Sequence, residues 1–192
     1  FRARVTAVHK DRWEILPDRA DEAAAEPVTA LLPGRFRQQA AGPEDLPVVG
    51  DWVTATRDES DAAARITGVE SRSGLLARKR PGDVRHDAVV EQAIAANIDV
   101  ALLVMAIDGD FSVRRLERYL TLAWDSAATP VVVMTKADLA TAGAPDVAAR
   151  VAQAEAVAFG TRIVVTSART GQGLAELRSV LPADTCAVLL GS

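Results

Sequence analysis

A chain of 192 residues with 49% hydrophobic and 25% charged content is long enough for one large globular domain or two small ones. A net charge of −4 and a pI of about 5.3 exclude a uniformly basic nucleic-acid sheath, and the single cysteine, Cys186, excludes an internal disulfide and a cysteine zinc site. The sequence holds no apolar run of about 18 residues, so no membrane partner is expected. Charge is uneven: residues 1–80 carry 13 Lys/Arg against 13 Asp/Glu and residues 81–192 carry 9 against 13, so the back half holds the whole deficit.

Residues 1–77 read as short strands punctuated by turns. Arg2–His9, Trp13–Leu16, Val28–Leu32, Val48–Thr56 with a bend at Gly50, and Arg65–Val69 alternate or run apolar. Pro17–Pro27 and Gln38–Pro47 read as loops, and Pro33-Gly34 as a turn. Roughly five strands in about 75 residues fit an OB-type barrel, with an SH3-like barrel as the competing architecture. Phe1, Trp13, Phe36 and Trp52 are available as stacking residues, although most aromatics in so small a barrel belong to its core. Arg2, Arg4, Arg12, Arg35 and Arg37 are the candidate phosphate partners of an RNA, on the expectation that acidic loops cancel their charge in the sum without screening one face. Arg78, Lys79 and Arg80, followed by Pro81-Gly82, form a basic triplet with a turn signal. They are expected in a linker over residues 78–86, either touching phosphate or simply solvated.

Beyond the linker the period changes. Ala88–Ala96 reads as helical or irregular, and Val100–Ile107 as a buried strand. Ser112 is placed to cap a helix with Val113, Leu116, Leu120, Ala123, Trp124 and Ala127 on one face. Val131–Met134 is the next strand. Pro145-Asp146 opens a helix to about Phe159, with Gly160 ending it. Arg162–Thr166 is a strand, Leu174–Leu181 a short helix and Ala187–Leu190 a last strand. Such alternation over residues 87–192 predicts an incomplete α/β domain built on a parallel sheet with right-handed crossovers.

Three clusters carry chemistry. Thr135-Lys136-Ala137-Asp138-Leu139 follows the apolar strand at the edge where ligands sit in open α/β sheets. A carboxylate there accepts the two adjacent N–H donors of a guanine, which adenine does not offer, and a site built for such donors rejects a base lacking them on the order of 10^4-fold. The competing reading is that Thr135 and Asp138 only cap the next helix. Ser167-Ala168-Arg169 ends the third strand, where a tight turn presents a backbone N–H to a base carbonyl. The last strand runs into Gly191-Ser192, as the opening of a phosphate-binding loop does. Nothing upstream of Thr135 matches a phosphate loop, and no Asp-x-x-Gly occurs.

With Asn97-Ile98-Asp99, Thr135–Leu139, Ser167-Ala168 and a strand reaching Gly191 in that order, behind a barrel containing Val49-Gly50-Asp51-Trp52-Val53, the chain resembles the circularly permuted ribosome small-subunit-dependent GTPase A family. The resemblance implies a cytoplasmic, monomeric GTPase acting late in small ribosomal subunit assembly, with the barrel on ribosomal RNA. It implies that Asp138 reads guanine, Lys136 lies along the base, and Thr135 stands where the family has Asn. It further implies that Leu139 and Arg169 belong to the guanine-binding set, Ser167 supports its turn, Ala168 approaches the base carbonyl, and Gly191 and Ser192 open the phosphate loop. GTP or GDP is the implied ligand, with magnesium in the intact parent and zinc only in a C-terminal module. The switches, the magnesium ligands and that module are expected after residue 192, so residues 1–192 alone are expected not to hydrolyse GTP, and no catalytic residue is nominated. His9 and His86 lie far apart without cysteine partners, which leaves no expected metal site. Two other readings stand beside this one: a non-catalytic RNA-binding barrel fused to a degenerate nucleotide-binding domain, and a receiver-like domain, which needs an acidic cluster that Asp99 and Asp108 do not make.

Overall fold

The computed structural model describes residues 1–18, 26–40, 42, 45–58, 60–79, 91–108, 111–140 and 146–191. It divides into two compact units, Phe1–Asn97 and Ile98–Ser192.

In the first unit, β1 (Arg2–Val8), β2 (Trp13–Pro17), β3 (Val28–Leu31), β4 (Trp52–Thr56) and β5 (Ala64–Val69) close into a barrel in the order β1-β2-β3-β5-β4. β1 pairs antiparallel with both β2 and β4, and β3 lies parallel to β5. This is the OB arrangement, and it decides the choice against an SH3-like barrel. Strand alternation fills the interior: Ala3, Val5, Trp13, Ile15, Ala30, Val53, Ala55 and Ile66 are buried, while Arg2, Thr6 and Thr54 point outward. Each large side chain so buried contributes about 1.5–3 kcal/mol. The Trp13 indole N–H reaches Pro47 O at 2.9 Å, so its one polar atom is satisfied inside the core.

Three sequence expectations change here. Pro33-Gly34 is not a free turn: Pro33 is the N-cap of α1 (Gly34–Gln39), whose Phe36 packs on the barrel core. Ala88–Ala96 is neither helical nor irregular in its described part. Glu91–Ala96 forms β7 and pairs antiparallel with β6 (Leu75–Lys79). Ala93, Ala95 and Ala96 favour helix in isolation, but ladder hydrogen bonds to Leu75–Ala77 override that propensity. Arg78 and Lys79, expected in a linker, are the last residues of β6, and the ribbon belongs to the first unit. Gly50 explains how closely the ribbon approaches: its φ is +90°, and a Cβ there would lie 2.2 Å from Ala96 O.

In the second unit, β8 (Val100–Ala106), β9 (Thr129–Thr135), β10 (Arg162–Val165) and β11 (Ala187–Gly191) form an all-parallel sheet in the order β10-β9-β8-β11. Val131–Met134 is buried throughout, as a strand covered on both faces requires. α2 (Val113–Asp125) buries Leu116, Leu120 and Ala123; Trp124, at the rim of that stripe, is exposed. Ser112 stands at the N-cap of α2 but makes no side-chain cap bond, whereas Asp146 does cap α3 (Val147–Glu155), accepting from Ala148 N at 3.0 Å. α3 ends short of the expected Phe159, which is exposed, and the chain turns at Gly160, φ +69°. α4 (Leu174–Ser179) precedes β11.

Candidate functional site

Parallel register brings the sequence clusters to one edge. Ala106 pairs with Thr135, Met134 with Val165, and Val104 with Gly191. The turns after β9 and β10 and the end of β11 therefore open on the carboxyl side of the sheet. Gly191 is fitted tightly there, since a Cβ would meet Val104 O at 3.0 Å. Ser192 lies outside the described residues.

The Thr135–Asp138 turn is bonded on both sides. Thr135 O accepts from Ile107 N at 3.0 Å, and Thr135 Oγ1 donates to Met105 O at 3.3 Å, which ties the end of β9 to β8. Lys136 is left-handed (φ 62°, ψ 35°) and redirects the chain into a 3-10 turn over Ala137–Leu139. Ala137 N donates to Thr166 O at 3.1 Å, joining this turn to the one after β10. Lys136 Nζ reaches Asp108 Oδ2 at 2.9 Å across the strand ends. Leu139 is about half exposed at the rim.

Asp138 does not cap a helix. Its Oδ1 accepts from Ser167 Oγ at 2.5 Å, and its Oδ2 lies 2.8 Å from Arg169 Nε. Ser167 is fully buried and its Oγ also accepts from Thr170 N at 3.2 Å, so the hydroxyl is held from both sides. The Ser167 hydrogen bond is the main cause holding the Asp138 carboxyl below the usual range. Partial burial opposes it, and Asp138's own backbone and Arg169 reinforce it. At neutral pH the group is an ionised acceptor.

A cavity of about 440 Å³ opens in front of this carboxylate. Thr135, Lys136, Asp138, Thr166 and Arg169 give it a polar edge, and Leu102, Val104, Val133, Leu139, Ala168, Leu174, Leu177 and Leu189 line the rest with apolar side chains. Predicted base-binding residues thus converge on one space, with Ser167 behind Asp138 as its brace. An ionised acceptor at the edge of an apolar slot suits a planar, donor-bearing heterocycle.

Sequence reasoning missed Asp108 as the partner of Lys136. It stands just beyond Ala106, the register partner of Thr135, a neighbourhood that only the folded sheet shows. It also missed Leu174, Leu177 and Leu189 as lining. Asp99 sits at the other end of β8 and accepts from Cys186 N, so Asp99 and Asp108 do not form an acidic site. Among the described residues no three His, Cys, Asp or Glu side chains converge.

On the barrel, acids pair with two of the candidate arginines, Arg2 and Arg37. Arg2 lies 3.9 Å from the Trp52 ring centroid and pairs with Glu70 at 2.8 Å and Asp18 at 3.0 Å. Arg4, 5.3 Å from the same ring, donates to Gly50 O and Asn97 O. Arg37 pairs with Asp11 at 3.3 Å, and Arg78 donates to Gln92. Arg12 and Arg35 are exposed and have no partner among the described residues. Arg80 lies outside the described residues, and Lys79 is placed only by its backbone in β6. Of the aromatics, Trp13 is core, Phe36 is half-buried, Trp52 lies under the arginines and Phe1 is exposed.

An OB barrel followed by a parallel sheet whose base-type turn precedes, in chain order, the strand ending in Gly191 defines a class: the circularly permuted GTPase fold. The sequence profile of the RsgA GTPase family matches residues 69–192. A small ribosomal subunit biogenesis GTPase RsgA 2 of Lactiplantibacillus plantarum is 36% identical, aligning with 98% of this chain and 49% of its own length. A small ribosomal subunit biogenesis GTPase RsgA of Syntrophotalea carbinolica is 40% identical over 85% of this chain and 44% of its own. The crystal structure of YjeQ from Thermotoga maritima matches the whole chain and 60% of its own with a TM-score of 0.72 and 27% identity. The structure of YloQ, titled a circularly permuted GTPase, shares the fold at a TM-score of 0.67 and 21% identity. The chain belongs to the RsgA GTPase family. It spans about half the length of the curated relatives it matches.

Proposed function

We propose that the whole protein binds GTP and GDP, hydrolyses GTP, and acts in the cytoplasm late in assembly of the small ribosomal subunit as a monomer. The observation that carries the reading is the Asp138 carboxylate, braced by buried Ser167 and facing a cavity of about 440 Å³ at the strand ends. Asp138 accepts guanine N1–H and N2–H, the Lys136 stem covers the base, and the Ala168 backbone meets the base carbonyl. Thr135 takes over bracing through its hydroxyl bond to Met105 O. Gly191 and Ser192 begin the phosphate grip. Magnesium, arriving with the nucleotide, supplies charge neutralisation on the phosphates; no described residue is assigned to it, to zinc or to activation of water. We place guanine recognition in the second unit and ribosomal RNA binding in the first, with Arg12 and Arg35, which have no side-chain partner among the described residues, as its cations.

The reading is tested by following phosphate release from GTP and from ATP by the full-length protein, with and without purified small ribosomal subunits. GTP turnover stimulated by subunits, with ATP left untouched, is the expected result. Comparable turnover of both nucleotides would overturn it.

A further inference from the structure

The carboxylate that faces the cavity is not bare, and its two partners differ in kind. Ser167 is buried and locked by Thr170 N. Arg169 has a side chain 73% exposed, and Asp138, at 2.8 Å, is its only partner among the described residues. Both Asp138 and Arg169 line the same cavity. A guanidinium presents N–H donors to a carboxylate in a planar array, as the N1–H and N2–H edge of guanine does. The two therefore compete for one acceptor.

We propose that Arg169 is a displaceable stand-in for guanine: it covers Asp138 while the cavity is empty and leaves as the base enters. The inference rests on Asp138 reading the base. The exchange has a physical logic. A partly buried carboxylate left unpaired is costly, and a shuttle between two donor sets avoids that state during entry. Because Arg169 is anchored on the exposed Ala168–Thr170 side of the turn while Ser167 stays fixed, the carboxylate keeps its orientation as the outer donor changes. An ion pair this exposed holds back an incoming ligand only modestly, about two- to five-fold.

The experiment is a double-mutant cycle on the full-length protein, reading association rate and affinity with fluorescent diphosphates. Arg169→Ala is compared with wild type using a guanosine diphosphate. It is compared again in the Asp138→Asn background using a xanthosine diphosphate, where Arg169 remains but its carboxylate partner is gone. The expected result is that Arg169→Ala speeds and tightens guanine binding about two- to five-fold relative to its effect in the Asp138→Asn background. The excess should shrink in high salt, which screens the exposed pair. Arg169→Lys, which retains a cation, should fall between. A ratio of one, or a ratio in the opposite sense, would overturn the stand-in role. If Asp138→Asn leaves guanine binding intact, the base-reading assignment has failed instead, so the two failures are separable.

Discussion

Ser167 Oγ donates a 2.5 Å hydrogen bond to Asp138 Oδ1, linking turns 29 residues apart at the ends of β9 and β10. This contact does two things. It aims the carboxylate at the cavity, and it is the largest cause of the lowered Asp138 pKa. Ser167→Ala should therefore weaken guanine nucleotide binding about ten-fold, the scale of one charge-assisted hydrogen bond. Isothermal titration with GDP checks it, and an unchanged affinity would contradict the bracing role.

The same contact has a pH signature. A carboxyl whose folded pKa lies below its unfolded value stabilises the fold fully above the unfolded value, and that contribution is lost as pH falls through the folded one. Ser167→Ala should bring the Asp138 pKa back toward the ordinary range. The variant should be less stable at neutral pH, and its stability should depend less steeply on pH in the acid window below the usual carboxylate pKa. Denaturant titrations across that window test the sign, and equal slopes in the two proteins would contradict it.

The barrel rests on a second pairing. Asp51 is fully buried, and Arg72 grips it through Nε and Nη2, both at 2.8 Å, while donating to Leu46 O at 2.9 Å. Val48 N completes the carboxylate's shell at 2.8 Å. Arg72→Met removes the fork and leaves a buried charge, which should destabilise the barrel by about 3 kcal/mol. Arg72→Lys should recover only part, because an ammonium lacks the planar fork. Thermal melts decide: a Met variant that unfolds with wild type would show the pair to be dispensable.

RNA binding should divide the arginines by their partners. Arg12 and Arg35 have no partner among the described residues, so replacing both with Gln should lower RNA affinity and flatten its dependence on salt by roughly 0.7 in slope for each lost phosphate contact. Arg2→Gln, which breaks pairs with Glu70 and Asp18, should change that slope less. Filter binding to small-subunit RNA over a salt series measures both, and equal slopes for all variants would remove Arg12 and Arg35 from the interface.

Much of this was legible in the chain, and the exceptions have physical causes. Val131–Met134 read as a doubly covered strand because nothing in it is polar, and the parallel sheet followed from the alternation of elements. The meeting of Asp138 and Ser167 was legible because each lies within three residues of a strand end, and parallel register sets those ends side by side. β7 was not, because its alanines favour helix until Leu75–Ala77 is there to pair with them. The Lys136–Asp108 and Arg169–Asp138 contacts depend on which way long side chains turn across strand ends, and composition holds no record of that. The screening of Arg2 by Glu70 comes from barrel closure, which places residues 68 positions apart side by side.

The most direct measurement is the base preference of the Asp138→Asn variant of the full-length protein, read as the ratio of its affinities for guanosine and xanthosine diphosphates. An amide at this position donates where the carboxylate only accepts, so the preference should pass from guanine to xanthine. A variant that still prefers guanine as wild type does would mean that Asp138 does not face the base.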